Sequence, residues 1–292
     1  MDSFDFVALD VETANMDLWS ICQVGLAYFK ENQLVDTWCS LVNPECSFDG
    51  FNTQIHGITP QMVKNSIKLP QLHELMVNKL SNQVVIHHTH FDKSAFYRLG
   101  SRLQQTELPC TWLDSSRVAR RTWEEIRNNG YGLSNIARLL EIKQDKTHDA
   151  LDDAKIAGYI LLKAINHSNK SLDQWVENSK KDFALWGTSA KEFIALANTD
   201  PNPDGPLFGE VLVFTGALSI TRLEAAKIAF QLGCNIDDGV TKHTTLLVVG
   251  DQDSRRLAGY EKSSKHRKAE DLISKGQSIR IIGENDFFSM IN

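Results

Sequence analysis

Asp10 and Glu12 stand one residue apart at the end of an apolar run rich in strand formers, Phe4–Val11. Side chains alternate along a strand, so these two carboxylates face the same side. Side by side they repel each other and raise each other's pKa unless a cation intervenes. The plainer alternative is a solvated strand end carrying ordinary surface charge. Asp92 follows a second short strand, in Val85–Asp92, where an Asp also suits the N-terminus of a helix. His148 and Asp153 open a later helix in Thr147–Ala154. Asp149 and Asp152 there fit ordinary first-turn acids, whereas Asp153 lies further in, flanked by Ala150, Ala154 and Ala157. Such small neighbours leave room for the helix to approach a sheet closely. An imidazole with an unperturbed pKa of about 6.5 makes His148 suitable as a general base at neutral pH.

The elements that must position these groups read as an α/β layer. Strands are expected over Ile21–Lys30 and Gln33–Val42, joined by a hairpin turn at Glu31-Asn32, and over Val84–His87. Thr59 reads as an N-cap with Pro60 at the first helical position. Helical periodicity marks Pro70–Leu80, Phe91–Leu103, Leu133–Leu140 and Ala150–Ile165. An opening meander followed by alternating strands and helices predicts a mixed sheet with helices on both faces.

Taken together, the acidic motifs resemble those of the DnaQ-like, DEDDh exonucleases across residues 4–166. Asp10-Val11-Glu12-Thr13 is similar to the family's DxET motif, His87–Asp92 to its HNAxFD motif, and His148–Asp153 to its HxxxxD motif. Further likeness lies in Ser20–Gly25, Ile55–Thr59 and Tyr131–Asn135. One departure is His88, where the family usually has Asn near the substrate strand. The resemblance implies an RNase H-like fold and two divalent ions, Mg²⁺ or Mn²⁺, held by Asp10, Glu12, Asp92 and Asp153. It implies His148 as general base, 3′→5′ hydrolysis, and release of nucleoside 5′-monophosphates. It also implies that Thr13, His56 and His88 meet the terminal nucleotide. For His56 a hydrogen-bonded loop histidine ahead of a helix cap is the alternative. Trp19 could stack on a base or simply pack, and Arg117, Arg120 and Arg121 could follow a nucleic-acid backbone or form a solvated helix face.

Beyond residue 166 the composition changes. Residues 167–206 are expected to be a helical extension and a linker, because Pro201, Pro203 and Pro206 with Asn, Asp and Gly between them cannot hold a helix or central strand. Residues 207–292 read as strands Val211–Thr215, Leu246–Val249 and Ile279–Ile282 with helices Arg222–Leu232 and Arg267–Lys275, a small parallel α/β sheet. Phe208–Gly216, Thr221–Ala225, Leu232–Cys234, Val240–Gly250 and Lys268-Ala269 resemble a BRCT domain, with Phe287-Phe288 in place of the usual terminal-helix Trp. That resemblance implies a phosphate seat at Thr215, Gly216, Arg222 and Lys268, fitting a phosphopeptide or a DNA 5′-phosphate. Arg255, Arg256, Lys262, Lys265 and Arg267 make the neighbourhood basic, as a solvated loop would also be.

The chain of 292 residues is 42% hydrophobic, enough for two domains. Its net charge of −6 counts against nucleic-acid binding unless the carboxylates hold cations. Five cysteines, an odd number without CxxC spacing, exclude a disulfide framework and a zinc cluster. No apolar stretch approaches the roughly 18 residues of a membrane span, and the start lacks a basic signal region. A soluble cytoplasmic protein without a membrane partner is therefore expected, acting on nucleic-acid 3′ ends, single-stranded DNA foremost, beside replication or repair proteins. An RNA substrate, a BRCT-centred scaffold with a vestigial nuclease and a polymerase proofreading subunit stay open.

Overall fold

The apolar run ending at Asp10 folds as β1 (Phe6–Thr13), with Leu9 and Val11 buried and Asp10 and Glu12 half-buried. In the computed structural model, which describes residues 4–123, 126, 132–179, 201–250 and 262–290, the chain divides into two units, Met1–Lys181 and Asp182–Asn292.

In the first unit β1 pairs antiparallel with β2 (Ile21–Lys30), and β2 with β3 (Gln33–Asn43). Glu31 and Asn32 both take positive φ, 50° and 62°, as a tight hairpin between right-twisted strands requires. The short β4 (Ile67–Lys68) extends one edge, and β5 (Val84–His87) and β6 (Thr111–Asp114) run parallel on the other side. The order is β4-β3-β2-β1-β5-β6, the mixed sheet expected from the sequence.

The helices are α1 (Gly50–His56), α2 (Pro60–Val63), α3 (Leu69–Leu80), α4 (Phe91–Leu103), α5 (Ser115–Thr122), α6 (Leu133–Leu139), α7 (Ala150–Ser168) and α8 (Leu172–Ser179). Thr59 caps α2 through the Met62 N–H with Pro60 following, as expected. α7 lies across the sheet, its Ala154, Ala157 and Leu161 packed with Phe6, Ala8, Phe29 and Ile86 in one core. Each large apolar side chain so buried contributes about 1.5–3 kcal/mol. Trp175 of α8 closes the same core, so the start of the expected helical extension belongs to this unit. Two glycines set how closely α7 approaches. A Cβ on Gly158 would lie 2.2 Å from the Phe29 ring, and one on Gly25 of β2 would lie 2.4 Å from the backbone of Ala150 and Leu151.

The second unit holds β7 (Val211–Thr215), α9 (Arg222–Gln231), β8 (Asn235–Ile236), β9 (Leu246–Val249), α10 (Ser264–Ser274), β10 (Arg280–Gly283) and α11 (Glu284–Ser289). All its strand pairs are parallel, in the order β10-β9-β7-β8, over a core of Val213, Leu247, Val249, Ala269 and Ile279. Thr221 and Glu224 form a capping box at α9. Residues 201–206 are fixed to this unit, since Asn202 donates from its backbone to Phe230 O and from its side chain to Gln231 O. Residues 180–200, the rest of the expected extension and linker, lie outside the described residues, as do Tyr131, Arg255 and Arg256. Among the described residues no helix is long and apolar enough to cross a membrane.

Gly25 meets backbone, which cannot rotate away as a side chain can. Gly25→Ala is expected to destabilise the protein by about 2 kcal/mol, the range of overpacking in a dense core. Urea unfolding checks this, and an unchanged midpoint would mean that α7 rides freely over β2.

Candidate active site

Opposite Asp10 on β2 stands Gly25, and opposite Glu12 stands Gln23. The bare Gly25 lets the first turn of α7 lie over the strand, and the Gln23 carboxamide oxygen accepts the Ala150 N–H at 3.2 Å. That pins the helix entry. Asp149 caps the helix by accepting the Asp152 N–H. His148 precedes it in the left-handed region, φ 57°, and its backbone N–H reaches Asp153 Oδ2 at 3.2 Å. Gln144 donates to Asp153 Oδ1 at 2.9 Å, so both carboxylate oxygens are held.

Candidate ligand atoms of Glu12, His148 and Asp153 all lie within 4.8 Å of one another. Asp10 shares Glu12's face of β1. Asp92 is buried in the first turn of α4, where its Oδ1 accepts the Val11 N–H at 3.1 Å, and its charge bears on Glu12. Glu12, His148 and Asp153 thus meet from β1 and the entry to α7, with Asp10 on the same strand face and Asp92 bonded to the neighbouring Val11.

Burial, followed by the charges of Asp153, Asp92 and Asp149, pushes the Glu12 carboxyl well above the usual carboxylate range. Burial also raises Asp153 to about 7, against the Gln144 and His148 N–H donors and with help from Asp149 and Asp152. Oxygen donors whose ionisation is opposed in this way suit a hard divalent cation, which would reverse the penalty on both charges.

Thr13 and His56 meet beside this cluster. His56 Nδ1 accepts the Ile58 N–H, so Nε2 carries the proton and donates to Thr13 O at 3.1 Å. Asn52 of α1, which no sequence pattern marked, donates to the same carbonyl at 3.0 Å. Burial, and secondarily the nearby His148, lower the His56 pKa. His88 sits elsewhere. Ser115 Oγ donates to His87 O, so His88 Nδ1 donates to Ser115 Oγ, tying β5 to α5 with the His88 ring only 5% exposed. It serves here as an internal tie between the end of β5 and α5. The Trp19 ring is covered by Arg102, whose guanidinium lies 3.7 Å from its centroid, and Arg121 donates to Asn178 O at the end of α8.

In the second unit Arg222 donates to Phe214 O and Gly216 O, and Thr215 Oγ1 bonds Ser263 Oγ at 2.7 Å. The lysine reaching this corner is Lys265, whose Nζ donates to Phe214 O at 3.1 Å, while Lys268 one turn later is exposed.

A family model described as exonuclease, RNase T, matches residues 7–161. A PolC-type DNA polymerase III from Caldanaerobacter subterraneus subsp. tengcongensis is 27% identical over 164 residues, 55% of this chain and 12% of that protein. The 3′-5′ exonuclease DinG of Bacillus subtilis is 27% identical over 173 residues, 56% of this chain and 18% of that protein. The chain thus spans less than a fifth of the length of these relatives. Among solved structures, exonuclease X in complex with 5′ overhanging duplex DNA aligns over 59% of this chain and 98% of its own, at 19% identity and a TM-score of 0.49.

The raised Asp153 has a consequence for stability. A carboxyl whose pKa is higher folded than unfolded stabilises the fold at low pH and loses that contribution as pH rises through its folded value. Without divalent ions, thermal stability should therefore fall between about pH 4, near the unfolded Asp value, and about 7. Added Mn²⁺ should restore it above pH 7. Differential scanning calorimetry checks both, and a melting temperature that rises across this range and ignores Mn²⁺ would contradict the electrostatics.

Proposed function

The chain belongs to the exonuclease family through residues 7–161, and on that premise we propose that it removes nucleotides from the 3′ end of nucleic acid by metal-assisted hydrolysis, in DNA replication or repair. The observation that carries this reading is the meeting of Glu12, His148 and Asp153 from distant parts of the chain. A preference for DNA is supported by the PolC-type DNA polymerase III relatives.

Asp10, Glu12 and Asp153 would hold one divalent cation, Mg²⁺ or Mn²⁺, and Asp10 with Asp92 a second. When bound, such ions polarise the phosphate oxygens and lower the pKa of water. The protein's own groups do the rest. Gln144 and the His148 N–H fix the Asp153 carboxylate in one orientation. The exposed His148 imidazole, beside Glu12 and Asp153, takes the proton of the attacking water. The bond between phosphorus and the 3′ oxygen breaks, the shortened strand leaves with a 3′-hydroxyl, and a nucleoside 5′-monophosphate departs. Thr13 and His56, bonded to each other next to His148, form the wall for the terminal sugar.

Residues 207–292 act as a BRCT module that docks the nuclease through a phosphate. The parallel order, with the first strand between the second and third, supports this. So does the corner of Thr215 and Gly216 with two cations, Arg222 and Lys265, donating to Phe214 O.

End-labelled single-stranded DNA, duplex DNA and RNA, each with Mg²⁺, test the catalytic reading. Single-stranded DNA should shorten from its 3′ end, and Asp10→Ala should lose both cation binding and cleavage. His148→Ala should keep cation binding and lower turnover by about a hundredfold or more, the range of general-base catalysis. Equal cleavage by wild type and Asp10→Ala would overturn the assignment. Lys265→Gln should weaken binding of a phosphopeptide or 5′-phosphorylated DNA without slowing cleavage.

A further inference from the structure

After α6 the chain turns at Glu141, φ 53°. Ile142 is then fixed, its N–H on Ala137 O at 2.8 Å and its side chain packed on the cluster of Ile136, Ile156 and Ile160. Residues 143–149 cross from there to the entry of α7 and carry His148. Hydrogen bonds tie this loop to the first turn of α7. Gln144 Nε2 donates to Asp153 Oδ1 at 2.9 Å, the Lys146 N–H to Asp152 Oδ2 at 2.8 Å, and the His148 N–H to Asp153 Oδ2 at 3.2 Å.

The two anchoring carboxylates differ. Asp152 takes the Lys155 ammonium on Oδ1 at 3.0 Å, so its charge is balanced within α7. Asp153 receives neutral amides from the loop, and beside Glu12 it is the acid that a divalent cation would grip. His148 sits in the left-handed region, φ 57°, which a residue with a side chain keeps only where its surroundings hold it. The bond from its N–H to Asp153 is one such hold.

We propose that Gln144 is a positioning residue that couples the divalent cation to the general base, an inference that rests on the hydrolytic reading of this site. Gln144 and the His148 N–H hold opposite oxygens of one carboxylate. A cation that immobilises Asp153 therefore immobilises the loop at two points, one on each side of Lys146. His148 is steadied beside Glu12 without having to touch the cation.

The carboxamide is the chemistry this task needs. An amide N–H orients the carboxylate and leaves its charge for the cation, whereas a lysine of similar reach would neutralise Asp153 and compete with the cation. Partners of this kind behind a ligand carboxylate govern metal affinity as well as orientation, and losing one costs about 10–100-fold.

The test measures three things on the full chain: Mn²⁺ affinity by titration calorimetry, trypsin cleavage after the exposed Lys143 and Lys146 by mass spectrometry, and turnover of labelled single-stranded DNA. In the wild type, Mn²⁺ should slow cleavage at both lysines at least fivefold, because a latched loop opens less often. Gln144→Met, which keeps the length and removes the donor, should weaken Mn²⁺ binding about tenfold and lose the protection from trypsin. Its kcat at saturating Mn²⁺ should fall at least fivefold, with KM for the DNA within twofold of the wild type. Gln144→Lys should weaken Mn²⁺ binding further than Gln144→Met does. Asp152→Ala, which frees the Lys146 N–H and leaves the bonds to Asp153 in place, should speed cleavage after Lys146 yet keep Mn²⁺ affinity within twofold. Should circular dichroism show Gln144→Met unfolded, Gln144→Lys and the wild-type trypsin comparison decide the matter. A wild type that binds no Mn²⁺ overturns the hydrolytic reading and this inference together. A wild type that binds Mn²⁺ and cuts DNA, but whose loop is cleaved equally fast with and without Mn²⁺, or whose Mn²⁺ affinity and protection Gln144→Met matches, overturns this inference alone.

Discussion

Glu12 and Asp153 are held near each other where burial already opposes their ionisation, and much of the first unit is arranged to keep them there. Left to themselves, two such groups would part or share protons. Parting is prevented by the sheet and the helix behind them. Gly25 admits the backbone of Ala150 and Leu151, Gly158 admits the Phe29 ring, and Gln23 fastens the helix entry. The repulsion is thus built in, and a divalent cation is the partner that removes it. The acidic balance of the chain, unfavourable for meeting phosphates, acquires a reason at this site.

The segment between β5 and α4 links this arrangement to its surroundings. Asp92 at one end accepts the Val11 N–H of β1, while Asp114 of β6 accepts the Thr89 N–H on the other side. Thr89 is β-branched and sits at φ 63°, a conformation costing about 1–3 kcal/mol that persists only where its surroundings enforce it. Burial opposes the charge on Asp114, yet His87 and Arg120 hold its carboxyl well below the usual carboxylate range. A charged, fixed Asp114 is what keeps the strained residue in place.

Much of this was legible in the sequence where a pattern repeats. β2, β5, α4, β7 and β9 have the bounds their apolar runs predict, and the Glu31-Asn32 hairpin and Thr59 cap follow from turn and capping chemistry. The shared face of Asp10 and Glu12 was readable from their spacing on a strand, whereas Asp92, His148 and Asp153 were singled out by the resemblance to the exonuclease motifs. Short elements were not readable. α1 buries none of its residues and so shows no apolar stripe, and β6 has four residues, too few for alternation to register. His88 turned inward because Ser115, twenty-seven positions away, offers its hydroxyl, and only tertiary structure reveals such a pairing. Gln144 and Asn52 were missed for the same reason, since a lone carboxamide in a loop or short helix carries no periodic signal.

Anomalous diffraction from crystals grown with Mn²⁺ tests the central claim most directly. The account predicts a strong peak bridging the carboxylates of Glu12 and Asp153, with His148 close by. Density for manganese only at other surface carboxylates, with those two side chains turned apart, would contradict it.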